Sequence, residues 1–258
     1  MQKDMKKLMI IAAAVLLLVA CGNKQKSNGQ SVDSVSAEKA VTAVAEADGE
    51  HNDEDVDGDE PSGITFIRNI WADGIEHGGG RIQIGLRDIK EDINRFAVAF
   101  CRTYPLINTN KELRDYFIDP NLFNKDLYKV ESSPRSGYVR CMMATEQFSL
   151  TEACYWNRKN GHKLVAIYMA DNHEDETESE QLVVFFDYDP ATDMMTAEPA
   201  LTKMVEERVK DYSTYTVQLP KEGKDIVVIG HIIDVENDYA DNKIMKLLWN
   251  GTTFKWGD

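Results

Sequence analysis

Carboxylates are the chemical groups this sequence supplies most freely, and three stretches concentrate them. The run DEDVDGDE, residues 53–60, sets Asp53, Asp55 and Asp57 at alternate positions ahead of Gly58. That is how an EF-hand calcium loop opens, with oxygen ligands on alternate residues and a glycine at the sharp turn. The twelfth position of such a loop needs a bidentate glutamate, and here it is Ile64, so the stretch reads as a solvated acidic run. DNHEDETESE (171–180) and DVENDYADN (234–242) each join two expected strands. Asp175, Glu176, Asp238 and Asp241 are candidate oxygen ligands for Ca²⁺, jointly if both loops leave one end of a sheet. As plain charged loops they would keep strand edges from mispairing.

Other reactive side chains are sparse. Cys101, Cys141 and Cys154 fall among apolar residues, as buried thiols do, while Cys141 with Cys154 would close the shortest disulfide loop. Cys154 and His162 lie on two arms of one expected hairpin, but a nucleophile needs its base within reach, and His162 is expected at a solvated turn. His231, inside an apolar strand, reads as a hydrogen-bonded core histidine. The five histidines show no His-Glu-x-x-His spacing, and no Cys-x-x-Cys or Gly-x-Ser-x-Gly occurs. Gly78–Gly80 lack both the Gly-Lys-Ser/Thr ending and the Gly-x-Gly-x-x-Gly spacing of phosphate loops. Trp71, Trp156, Trp249 and Trp256 are either a sugar-stacking platform or core.

One cysteine has a specific setting. Three lysines within Met1–Lys7 precede an unbroken apolar run, Leu8–Ala20, of 13 residues. A membrane span needs about 20 residues, so this length suits the core of a secretory signal. The run ends in Leu18-Val19-Ala20-Cys21, which resembles the lipobox of bacterial lipoproteins. The resemblance implies cleavage before Cys21, acylation of that residue with palmitate-like chains, and attachment to a lipid bilayer. Acyl chains bury about 0.8 kcal/mol per methylene, so several of them make a stable anchor. Gly22 is not the aspartate that retains such proteins in an inner membrane, which implies the outer membrane. Lys24 and Lys26 replace the acidic residues of surface-exported Bacteroides-type lipoproteins, which implies a periplasm-facing protein of the cell envelope.

The remaining chain must position these groups. Residues 22–62 carry no aromatic side chain and no sustained period. They cannot bury enough apolar surface to offset their ordering entropy, so 21–62 is expected to be an acylated, disordered acidic tether after a signal peptide at 1–20. Extended, it would reach about 140 Å, and as a coil about 35–40 Å. Residues 63–258 are expected to form one α+β domain. ITFIRNIW (64–71) has strand-like content. A helix is expected from Asp88, capped by Asp88 with Glu91, and another from Thr109 with Glu112. One more turn is expected at Pro120, completing a helical part over about 88–130. From 138 the pattern turns to strands, with hairpins at Asn160-Gly161 and Pro190–Asp193 and a short helix over 200–210. The expected architecture is a mostly antiparallel sheet of six to eight strands with the helical segment on one face. Leu182–Phe186 and Ile226–Ile229 are apolar on consecutive residues, predicting cover on both faces.

The net charge of −15 becomes −17 once Lys3, Lys6, Lys7 and Asp4 are removed with the signal. So negative a surface repels phosphate backbones, which excludes nucleic acid as a partner. The sequence as a whole reads as a lipid-anchored, non-enzymatic binding module for an envelope protein or polymer. The alternatives are an envelope glycan hydrolase with an Asp/Glu pair, and a calcium-dependent module. Beyond Cys21, the plan of lipobox, acidic spacer and hairpin-rich domain is similar to Bacteroides-type lipoproteins, and this similarity transfers no functional residue.

Overall fold

The structure is a computed structural model that describes residues 63–143, 148–171, 180–234 and 239–257. All of them belong to the unit Glu60–Asp258. Among the described residues no helix is long and apolar enough to cross a membrane.

The fold is α+β. In chain order the elements are α1 (Gly63–Glu76), β1 (Arg81–Gln83), α2 (Asp92–Thr103), α3 (Asn108–Ile118), β2 (Tyr128–Ser133), β3 (Tyr138–Met143), β4 (Ser149–Asn157), β5 (Lys163–Asp171), β6 (Glu180–Asp189), β7 (Met194–Ala197), α4 (Pro199–Val209), β8 (Thr214–Gln218), β9 (Ile226–Asp234), β10 (Tyr239–Trp249) and β11 (Phe254–Trp256). Seven strands make an antiparallel sheet in the order β1-β7-β6-β5-β4-β3-β2, and four make a second, β11-β10-β9-β8. The large sheet with its helices on one face matches the sequence expectation. The second sheet was not separated from it by the sequence pattern.

Side chains alternate across a strand, so the large sheet has two buried faces. One packs Val165, Ile167, Val184 and Phe186 against Ile64, Phe96, Phe100 and Leu113 of the three N-terminal helices. The other packs Leu164, Ala166, Val183 and Phe185 against α4 and the inner side of the second sheet, through Val205, Val228, Leu247 and Phe254. Leu182–Phe186 are therefore covered on both faces, as expected. Ile226–Ile229 are not: Ile226 and Val228 are buried, whereas Val227 and Ile229 lie half-buried on the second sheet's outer side. Ile244, opposite Ile229 on that side, is 67 % exposed.

Local sequence explains several departures from expectation. ITFIRNIW is helical, because Ile64, Ile67 and Trp71 at helical spacing form the stripe that packs on the sheet, while Phe66 and Ile70 remain exposed. The α2 helix starts at Asp92, not Asp88; its cap residue Glu91 makes no side-chain bond, and the segment before it turns through Ile89 N–H donating to Leu86 O. Thr109 does not cap α3. It is fully buried, and its Oγ1 meets Thr151 Oγ1 at 2.8 Å and Ser149 Oγ at 3.2 Å, fastening the helix to β4. Pro120 begins no helix; Leu122 N–H donates to Asp119 O in a turn.

The hairpin expected at Asn160-Gly161 joins β4 to β5. Gly161 has φ +87°, a conformation that costs an L side chain about 1–2 kcal/mol. The β6–β7 turn is locked by Asp193, which accepts hydrogen bonds from Arg95 Nη2 at 2.8 Å, Tyr188 Oη at 2.9 Å and Gly85 N at 3.1 Å.

Candidate functional site

Strand direction sorts the candidate residues into two groups. Thr214 pairs with His231 in the second sheet and donates from Oγ1 to Gln181 Oε1 at 2.9 Å. The start of β6 thus lies beside the last residues of β9, and the acidic stretches 171–180 and 234–242 leave from one end of the two sheets. Asp53, Asp55, Asp57, Asp175, Glu176 and Asp238 lie outside the described residues, as does Cys21. Asp241 is exposed, with one carboxylate oxygen accepting Asn242 N–H at 2.8 Å. Among the described residues no three His, Cys, Asp or Glu side chains gather as a metal site.

The opposite end, where the β4–β5 and β6–β7 turns meet, carries a built polar network that the sequence reading missed. Arg158, at the end of β4, has a side chain only 10 % exposed. Its Nη1 binds Asp187 Oδ1 and, at 2.5 Å, Glu198 Oε1; its Nη2 reaches Glu198 Oε2 at 2.7 Å. This two-pronged grip is the strong form of the Arg–carboxylate pair. Asp187 Oδ2 then meets His162 Nδ1 at 2.7 Å. His162 is not the solvated turn residue expected; its side chain is 33 % exposed and held by a carboxylate. With Nδ1 engaged, Nε2 faces Asp189, 3.9 Å from its Oδ1. Asp189 is held below the usual carboxylate range, chiefly by the Ala191 N–H and then by the Thr192 hydroxyl. His162, Asp187, Asp189, Thr192 and Glu198 line an open depression of about 570 Å³, completed by Arg81 of β1 and Thr196 of β7. The Asn160-Gly161 and Pro190–Asp193 turns and the candidate base His162 were the sequence signals pointing here; Asp187 and Glu198 are far from Arg158 in sequence and reach it through strand register.

Chemistry at cysteine finds no support in the geometry. Cys101, Cys141 and Cys154 are buried free thiols. Burial raises all three above the ordinary thiol range, Cys141 to about 12. Cys141 and Cys154 lie on adjacent strands but in the two different core clusters, so they point to opposite faces of the sheet. Cys154 Sγ sits 3.4 Å from Pro220 O, while His162 is bound to Asp187. His231 is hydrogen-bonded as expected, to Thr216 Oγ1 at 3.0 Å and Asn242 Oδ1 at 2.6 Å, but on the outer side of the second sheet rather than in the core.

The tryptophans are mainly core. Trp71 and Trp156 are 5 % and 4 % exposed, and Trp156 meets Phe254 edge-on at 4.9 Å. Trp249 and Trp256 are partly exposed.

One buried carboxyl stands apart. Glu152 of β4 accepts from Tyr138 Oη and, at 3.1 Å, from Leu219 N beyond β8. Burial pushes it up to about 7, against the opposing pull of those two donors. It ties the large sheet to the second and is closed off from solvent.

The fold and the hairpin-end network thus define an α+β domain with a polar, ion-paired surface where its hairpin turns meet. Compared with known proteins, the chain matches no family model, no curated protein and no solved structure.

Proposed function

We propose that this protein is a membrane-anchored envelope lipoprotein acting as a non-enzymatic binding module. Acylated Cys21 holds it to the outer membrane, facing the periplasm, and the hairpin end of the domain meets another envelope component. The anchor rests on the sequence Leu18-Val19-Ala20-Cys21 after a lysine-led apolar run.

The binding reading is carried by the Arg158 network. A glycan hydrolase needs one carboxylic acid and one carboxylate facing each other across a bound sugar. Asp187 and Glu198 instead converge on one nitrogen of Arg158, and His162 is bound to the first of them. Such groups form a fixed polar pattern over an open depression, suited to recognition.

The test is crosslinking of full-length, lipidated protein in intact cells, with mass spectrometry of what is captured. One component trapped repeatedly, and lost in Asp189→Asn with Arg81→Glu, is the expected result. Capture of abundant neighbours alone, unchanged by those substitutions, contradicts binding at this surface. Cys21→Ser is expected to move the protein out of the membrane fraction. Calcium would enter through the acidic stretches 53–60, 171–180 and 234–242; a Tm that differs between calcium and chelator would establish it, since a ligand at 100 times its Kd stabilises by about 2.7 kcal/mol.

A further inference from the structure

A second recess opens at the hairpin end, on the same side of the large sheet as the Arg158 network. It is about 190 Å³, and its lining includes Trp156, Trp249, Arg135, Ser136, Asn157 and Lys224. We propose that it is a binding site for one acidic sugar unit. This deepens the binding-module reading, and rests on it.

The floor is aromatic and fixed. The Trp156 and Trp249 rings lie 6.0 Å apart at 33°, and Trp249 also packs on Phe254 at 5.1 Å. Trp156 Nε1 donates to Lys224 O at 2.8 Å, and Trp249 N to Asp225 Oδ1 at 3.0 Å. These two bonds pin the β8–β9 connection, and Lys224 with it, beside the indoles. Trp249 is the partly exposed ring of the pair, so its surface is the one a ligand meets. On the other wall, the β2–β3 turn is pressed onto the sheet at Gly137. It has φ +69°, and an added Cβ there would lie 2.8 Å from the Tyr155 ring. Arg135 and Ser136 are thereby carried to the rim.

Charge sets the ligand's sign. Nearby, Lys221 and Arg140 both pair with Glu131. Arg135 and Lys224 pair with no described carboxylate, and both line the recess. Ser136, at the rim, donates its hydroxyl to Ser133 O at 3.1 Å and keeps its oxygen free to accept from a sugar hydroxyl. An apolar ring face, polar groups for hydroxyls and two cations for a carboxylate are together the complement of an acidic sugar. Pockets for drug-sized ligands run to about 300–1,000 Å³, so this recess suits one ring or a chain end.

The test is titration of the full-length lipidated protein, in a zwitterionic detergent without a sugar headgroup, with D-glucuronate, D-glucose and benzoate. Calorimetry and tryptophan fluorescence report binding. Saturable glucuronate binding is expected, at least about tenfold tighter than either control and weakening with salt. Arg135→Glu with Lys224→Glu, both exposed positions, should weaken it at least about tenfold with Tm unchanged, and Trp249→Phe should alter the fluorescence response. Glucose or benzoate binding as tightly as glucuronate, no glucuronate binding, or indifference to the charge variants would each overturn the assignment. Partner capture in cells that survives Arg135→Glu with Lys224→Glu alongside such a result would leave the binding-module reading standing and remove only the sugar.

Discussion

The two faces of the large sheet are closed by different means. Three helices adjacent in sequence cover one face, and their aromatic side chains interlock with the sheet: Phe96 meets Tyr188 at 4.5 Å and Phe100 meets Phe186 at 6.0 Å. The other face is covered by α4 and four strands from the end of the chain, whose β10–β11 turn meets the β4–β5 turn where Lys159 N donates to Gly251 O at 3.3 Å. Both recesses open on that second face, and Arg158, Asp187, Glu152 and Trp156 all project from it. A helix layer closes a sheet like a lid. A smaller sheet laid on a larger one leaves margins, and here the margins hold the polar groups. On the proposed reading, the helix face serves stability and the second face serves recognition.

Substitutions should separate the two. The largest loss is expected from Phe100→Ala on the helix face, about 3–5 kcal/mol in urea unfolding, because Phe100 is fully buried; partner capture by the fraction still folded should be intact. Next comes Glu152, whose folded carboxyl titrates near 7 instead of its ordinary 4.5. Its raised value means its contribution is fully present below the unfolded value and is lost as pH rises through the folded one, with Tyr138, Arg140 and Glu131 as the ionisable neighbours. Glu152→Gln, compared with the parent by Tm at about pH 5 and about pH 8, should gain relative stability at the higher pH, up to roughly 3 kcal/mol. A pH-independent difference would deny the burial assigned to this group.

Arg158→Ala leaves Asp187 and Glu198 facing each other without their cation. A loss of about 2–3 kcal/mol is expected, discounted for their partial exposure, and much of it should return when Asp187→Asn and Glu198→Gln are added. Gly161→Ala should cost about 1 kcal/mol through the backbone alone, since nothing stands within 4 Å of the added methyl. Ile244→Ser, on the open outer side of the second sheet, should change unfolding by no more than about 0.5 kcal/mol. A larger effect there would mean that this side is covered in the intact protein.

Most strands and both hairpins were legible because period-2 patterns and Asn-Gly or Pro-x-x-Asp turns are local signals; β2 (Tyr128–Ser133) was not, its start having been assigned to the helical part over about 88–130. The α1 helix was not, since β-branched and aromatic residues in ITFIRNIW favour a strand until Ile64, Ile67 and Trp71 find a surface to pack on. The caps were misread for a related reason: Thr109 has the right type and spacing, but its hydroxyl is claimed by Thr151 and Ser149 across the core. The division into two sheets depends on which strands pair, which no single strand encodes. The site was the least legible part. Arg158, Asp187 and Glu198 are ordinary charged residues in sequence, and only register across β4, β5, β6 and β7 brings them together. The acidic clusters that drew attention first leave from the other end of the molecule.

The most direct test of this division of labour is site-specific photo-crosslinking of the full-length lipidated protein in intact cells. A photoreactive side chain would be placed singly at Lys224 and Thr192 on the recognition side, and at Arg102 and Leu122 on the helix side. Lys224 and Thr192 should capture the same component, and Arg102 and Leu122 should not. Capture from Arg102 or Leu122 with none from Lys224 and Thr192 would contradict the account and move recognition to the helix face.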